Sequence, residues 1–148
     1  MAVERTVEDT GNLGRFVEAQ RGVHERALSE IRSGRKTSHW MWFIFPQIAG
    51  LGHSPMAQLY AITSLAEARA YLRHPVLGER LLACTQAANG VTGRSARALF
   101  GSPDDMKFRS SMTLFARAAP DEPAFGRALA TYFEGEPDPL TLAKLSSG

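Results

Sequence analysis

The chain has 148 residues and a net charge of +2, with 44% apolar and 22% charged residues. A domain of that length buries roughly two-thirds of the surface its unfolded chain exposes, and the composition is that of a soluble globular protein rather than a disordered or fibrous one. So small a net charge excludes a broad nucleic-acid-binding surface, and the one cysteine, Cys84, excludes an intrachain disulfide and fits a reducing compartment.

The N-terminal MAVERTVEDTG is charged and has no apolar core of a signal peptide; residues 1–11 read as a flexible arm and 12–148 as a single domain. From Asn12, the residues Leu13, Phe16, Val17, Ala27, Leu28 and Ile31 share one helical face. Asn12 is placed to cap this helix and Gly34 to close it, while Gly22 weakens its middle. Next comes SGRKTSHWMWFIFPQ, residues 33–47. Its apolar run from Trp40 to Phe45 reads as helix or 3₁₀ rather than strand, because the sequence offers a strand no partner. The run is far short of the ~20 apolar residues that cross a bilayer.

AGLGHSP is loop, and Met56 to Ile62 a short helix. Ser64-Leu-Ala-Glu67 is a capping box opening a helix that stops near Arg73. His74-Pro75 starts another, with Val76, Leu77, Leu81, Cys84 and Ala88 on one side and Asn89-Gly90 at its end. A short helix covers Arg94 to Phe100. Ser102-Pro103-Asp104-Asp105 starts a long one that runs to Pro120, with both acids at its positive end. Asp121-Glu-Pro starts a helix carrying Phe125, Leu129, Tyr132 and Phe133, and Asp138-Pro139 starts the last. Period-2 alternation is almost absent. The fold class is therefore all-α, a multihelical domain of six to eight helices.

Gly34-Arg-Lys-Thr37 looks like the end of a phosphate-binding loop, but the G-x-x-x-x-G-K-[ST] spacing and the preceding strand are missing. Two readings remain for Lys36, Thr37 and Ser38: an anion site at the N-terminus of a helix beginning near His39, or a cap beside a solvated lysine. Gln20 and His24 lie four apart near the centre of the first helix's apolar stripe, where polar groups cost free energy unless bonded. They form either a hydrogen-bond network or a pocket wall. The Pro103 helix is apolar on two sides, as a central helix is, yet carries Lys107, Arg109, Ser110 and Ser111. Asp105 and Arg109 are spaced for an ion pair; Lys107 and Ser111 have no such local partner. Trp40 and Trp42 can serve as core or as a flat wall for a ring or cation, and Gln47 follows the breaker Pro46.

His24, His39, His53 and His74 have no metal-ligand spacing, no G-x-S-x-G elbow surrounds a serine, and Cys84 on its apolar face reads as an inert thiol. No metal or cofactor is expected. RFVEAQ, GRKTSHWMWFIFPQIAGLGHSPMAQLYAI, HPVLGERL and GSPDDMKFRSSMTLF together resemble an uncharacterised bacterial domain-of-unknown-function family, DUF1810, whose members are sometimes labelled calpastatin. The resemblance covers about residues 12–145. It implies a compact all-α fold and no reaction; the label does not fit a chain with its own core. RFVEAQ followed by a histidine is also similar to the opening helix of small all-α N-glycosidases acting on ADP-ribose-like compounds.

The first functional reading is a pocket for a small anionic, phosphate-bearing ligand, nucleotide- or ADP-ribose-like. Its lining would be Gln20, His24, Lys36, Trp40, Trp42, Gln47, Lys107, Ser110 and Ser111, with His39 as acid or base and Asp105 or Glu18 as its carboxylate partner. The second is an interaction or homodimerisation module anchored on exposed Trp40, Phe43 or Phe45; the third is N-glycosidase-like hydrolysis. Neither nucleic acid nor membrane is expected as a partner, and the location expected is cytoplasmic.

Overall fold

The computed structural model describes residues 12–147, so the arm expected over 1–11 lies outside the described residues. Among these, ten helices follow one another: α1 Gly14–Gln20, α2 His24–Ser33, α3 Met41–Ile44, α4 Pro55–Leu59, α5 Leu65–Arg73, α6 Leu77–Asn89, α7 Ala96–Phe100, α8 Asp104–Ala118, α9 Pro123–Phe133 and α10 Pro139–Ser147. Seven have seven residues or more. None is long and apolar enough to cross a membrane.

The expected first helix is two helices. Gly22, at φ 73°, takes the left-handed conformation that breaks the run between α1 and α2. Asn12 does not cap α1 through its side chain; its own φ is 60°, and its carbonyl accepts from Arg15 Nη1. Gly34, at φ 88°, closes α2 as expected, its N–H returning to the carbonyls of Glu30 and Ile31. The tryptophan segment holds a single helical turn, α3. Beyond it, Ile48 and Ile62 form a parallel β-bridge, with Ile62 N–H donating to Gln47 O and Ala49 N–H to Ile62 O, both at 2.8 Å.

Caps set most of the later boundaries. Ser54, Ser64 and Ser95 each accept the N–H three residues on. The Ser64 box is displaced by one residue: Glu67 bonds the backbone N–H and hydroxyl of Thr63 rather than returning to Ser64. His74 Nδ1 accepts the N–H groups of Val76 and Leu77, so α6 begins at Leu77 and Pro75 stands outside it. Ser102 does not cap α8, which begins at Asp104 with no side-chain cap. Glu122 caps α9, and Asp138 caps α10 through Thr141 N–H.

Helix α8 is central, as its two apolar stripes imply: α3, α5, α7, α9 and α10 all pack on it. Phe108 meets Phe45 edge-on at 5.0 Å and Phe100 at 4.4 Å between centroids, while Phe115 sits beside Tyr71 and Phe125. Trp40, Phe16, Tyr71 and Phe125 complete the buried aromatic core.

The α5–α6 corner depends on Gly78. A Cβ there would stand 2.0 Å from the backbone oxygen of Leu72, which cannot swing aside as a side chain could. Gly78→Ala is expected to cost about 3 kcal/mol or more by forcing the two helices apart, read as a lowered midpoint in urea unfolding. A midpoint unchanged from the parent would show that the corner gives way freely.

Candidate functional site

The site starts with Glu30, in the last turns of α2. Its Oε1 accepts from Thr37 N–H (2.8 Å), Ser38 N–H (3.0 Å) and Trp40 Nε1–H (2.9 Å), and Oε2 accepts from the Ser38 hydroxyl (2.6 Å). Burial pushes the carboxyl pKa up, but the bonds from Ser38, Thr37 and Trp40 outweigh it and hold the group at about 2. The backbone donors that a phosphate would use are thus occupied by the chain's own carboxylate. The helix begins at Met41 rather than near His39, with Trp40 at the cap position and no side chain capping it, so neither an open anion site nor a Ser38 or Thr37 cap describes this turn.

Trp40 is fully buried under Lys36, whose Nζ lies 5.0 Å from the indole centroid. Trp42 is half-buried under Lys107 at 5.3 Å. Asp104 joins the two lysines: Lys36 Nζ is 2.8 Å from Oδ2, and Lys107 Nζ is 3.7 Å from Oδ1. The Lys36 side chain is 7% exposed and that of Lys107 26%. Lys36 is therefore committed to its carboxylate at hydrogen-bond distance, while Lys107 is held loosely and reaches water.

Trp42 and Gln47 line a cleft of about 130 Å³, between the turn around Gly50 and Gly52 and the end of α4 with Gln58 and Tyr60. The Ile48–Ile62 bridge ties its two sides together. The structure thus brings Trp42 and Gln47 to one cleft, with Lys107 over the Trp42 ring and Lys36 joined to it through Asp104.

The other candidates lie elsewhere or are bound up in structure. Buried Gln20 donates to Phe43 O (2.7 Å) and meets the Tyr71 hydroxyl (3.0 Å), while Arg80 donates to its oxygen (3.2 Å). This is a hydrogen-bond network tying α1 to α3, α5 and α6. His24 is half-buried with Nδ1 3.8 Å from Cys84 Sγ; burial and then the Arg80 charge hold its pKa below the ordinary value. Burial pushes the Cys84 thiol up to about 12, that of an inert sulfur. Ser110 donates to Asp138 (2.9 Å), anchoring α10. Ser111 is fully buried, its hydroxyl without a hydrogen-bond partner. Arg109 turns from Asp105 to donate to Glu136 O and Pro137 O, so the expected ion pair is not made. His39 is exposed and lines neither this cleft nor the second cleft near Asn89 and Arg127. Glu18 is an exposed partner of Arg21. Trp40, Phe43 and Phe45 are core residues, which removes the surface anchors of the interaction reading. No group of three or more His, Cys, Asp or Glu residues among those described is placed to hold a metal ion.

No sequence motif marks Asp104, whose place in the first turn of a helix already accounts for an acid there. Glu30 does carry a signal: an acid near the negative end of a helix opposes the dipole and needs a partner elsewhere.

The profile of a family described as "Protein of unknown function (DUF1810)" matches residues 10–145. The chain is similar to the conserved hypothetical protein Rv1873 from Mycobacterium tuberculosis, known from a crystal structure at 1.38 Å. The two share 52% identity over 93% of this chain and 99% of that chain, with a TM-score of 0.92. No match is found among curated proteins.

Glu30→Gln is expected to lower stability by about 2 kcal/mol at neutral pH, through loss of charge-assisted bonds. The Glu30 pKa is lower folded than unfolded, so its contribution is full above the ordinary value of 4.5 and is lost as pH falls toward about 2. Denaturant midpoints of the two proteins should therefore differ at pH 7 and converge in acid. A constant difference across that range would mean the carboxylate's charge does not matter.

Proposed function

The chain belongs to the DUF1810 family of proteins of unknown function, and on that footing we propose that it binds a small anionic ligand, one ring of which sits beside Trp42. The observation that carries this reading is the double placement of Trp42: it lines the cleft and also lies under the Lys107 ammonium, 5.3 Å from its ring centroid. An indole offers a stacking face, a loosely paired lysine offers a charge for phosphate or carboxylate, and Gln47 and Gln58 offer amides to orient a polar edge.

Size narrows the ligand. The cleft holds about 130 Å³, close to the ~150 Å³ that accommodates a benzene ring. A nucleotide or an ADP-ribose-like compound would place a single ring or phosphate there and lay the rest along the surface. Lys107 is the cation for the anionic group, since its 3.7 Å pairing with Asp104 exchanges at little cost, whereas Lys36 at 2.8 Å does not. Neither dimerisation nor glycosidic hydrolysis draws comparable support: the aromatic anchors are buried, and no carboxylate lines the cleft.

A thermal-shift series with nucleoside phosphates, ADP-ribose and sugar phosphates tests the reading. A ligand at about 100 times its Kd stabilises the native state by about 2.7 kcal/mol, a rise of roughly 5–10 °C for a chain of this size. Lys107→Ala and Trp42→Ala are each expected to abolish the rise, and His39→Ala to leave it unchanged. A rise that survives both cleft variants, or no rise with any compound, would overturn it.

A further inference from the structure

The low net charge conceals a local concentration. Arg32 and Arg35 flank the end of α2; Arg94 and Arg97 lie just before and within α7. The fold brings these segments together at two points. Arg94 Nε lies 3.0 Å from where a Cβ on Gly34 would stand. Lys36 N–H donates to Leu99 O at 2.7 Å. All four arginines are exposed, and none joins another described residue by an ion pair or side-chain hydrogen bond.

The two segments themselves carry no acid. Residues 32–38 and 90–102 contain no Asp or Glu. Glu30, just outside, turns its carboxylate inward to Thr37, Ser38 and Trp40, and Asp104 is engaged by Lys36 and Lys107. Arg35, next in sequence to Gly34, and Arg94, which lies against Gly34, are like charges on one exposed surface, and an anion shared between them relieves their repulsion.

We propose that Arg32, Arg35, Arg94 and Arg97 form a docking surface for the sugar-phosphate backbone of nucleic acid, read without regard to sequence. Arginine's planar fork matches phosphate oxygens bidentately. The four are exposed on two segments that meet at Gly34 and at Leu99, and cations spread along two segments suit an extended chain of phosphates rather than one small anion. The aromatic and large aliphatic side chains of these segments, Leu99 and Phe100, are buried, so the surface offers no ring for base stacking and no apolar wedge for a lipid interface. Contacts confined to phosphate give position and affinity but no base recognition. The net charge excludes a broad surface of this kind, not a local one. This inference is independent of the Trp42 cleft.

Fluorescence anisotropy with a labelled duplex DNA of about 20 base pairs and a single-stranded RNA of similar length tests it. With up to four phosphates neutralised, log K against log salt for the duplex is expected to fall with a slope between about −3 and −4, and less steeply for the single strand. Arg35→Glu with Arg94→Glu should weaken binding more than about tenfold, while Arg117→Glu with Arg127→Glu, the same charge change on exposed arginines elsewhere, should leave it within about threefold. The single variants Arg35→Gln and Arg94→Gln should each flatten the slope by about one, and they carry the same reading if the double reversal fails to fold. No binding at about 50 mM salt, equal weakening by both double reversals, or arginine-dependent binding to phosphatidylserine vesicles or an acidic peptide in place of nucleic acid would each overturn the proposal.

Discussion

One carboxylate organises the segment on which the candidate site depends. Glu30 gathers four donors from Thr37, Ser38 and Trp40, and so ties the end of α2 to the turn that leads into α3. With its indole N–H satisfied, Trp40 can be fully buried at no polar cost. Alternation of the two tryptophans then follows: one is held in the core by a hydrogen bond, and the other, two residues on, stays half-buried beside the cleft. Closing α2 in the left-handed conformation at Gly34 makes the turn reachable, because it reverses the chain within bonding distance of a side chain one helical turn back.

The charges beside this turn divide by distance and exposure. Asp104 stands between two lysines at the head of α8, where the helix dipole already favours an acid. Lys36 is drawn in from one side to ion-pair distance and loses its water, and its backbone N–H is bonded to Leu99 O. Lys107 approaches from the same helix, keeps more exposure and shares itself with the Trp42 ring. A single acid thus holds one lysine buried at hydrogen-bond distance and leaves the other more loosely paired and more exposed.

Helix α8 carries this arrangement because it is surrounded. Its Phe108 and Phe115 faces bind α7, α5 and α9, and its polar residues are spent on the last helix: Ser110 and Thr113 bond Asp138, and Arg109 holds the carbonyls of Glu136 and Pro137 while lying over Phe133. Ser110, one of the polar residues that stand out on this apolar helix, thus fastens α10 to it together with Arg109 and Thr113, while Lys107 and Ser111 take no part in that contact. Gln20 does the same work for α1, meeting the backbone of Phe43 and the hydroxyl of Tyr71.

What the sequence determined by itself was the all-α class, the chain order of the helices and most of their ends, because Ser54, Ser64, Ser95, Glu122, Asp138 and Gly34 act on groups a few residues away. It also marked the aromatic segment and Lys107 as unusual, since both break the local pattern. Tertiary structure alone decided the partners: that Glu30 would fill the donors for which the sequence left both an anion site and a local cap open, that Asp104 would bridge two lysines, that Arg94 would come to lie over Gly34, and that Gln47 and Trp42 would share a cleft closed by the Ile48–Ile62 bridge. The physical reason is range. A cap or a glycine turn satisfies bonds within its own turn of chain, whereas a buried polar side chain can be satisfied by any segment the fold carries to it, and linear spacing holds no record of which.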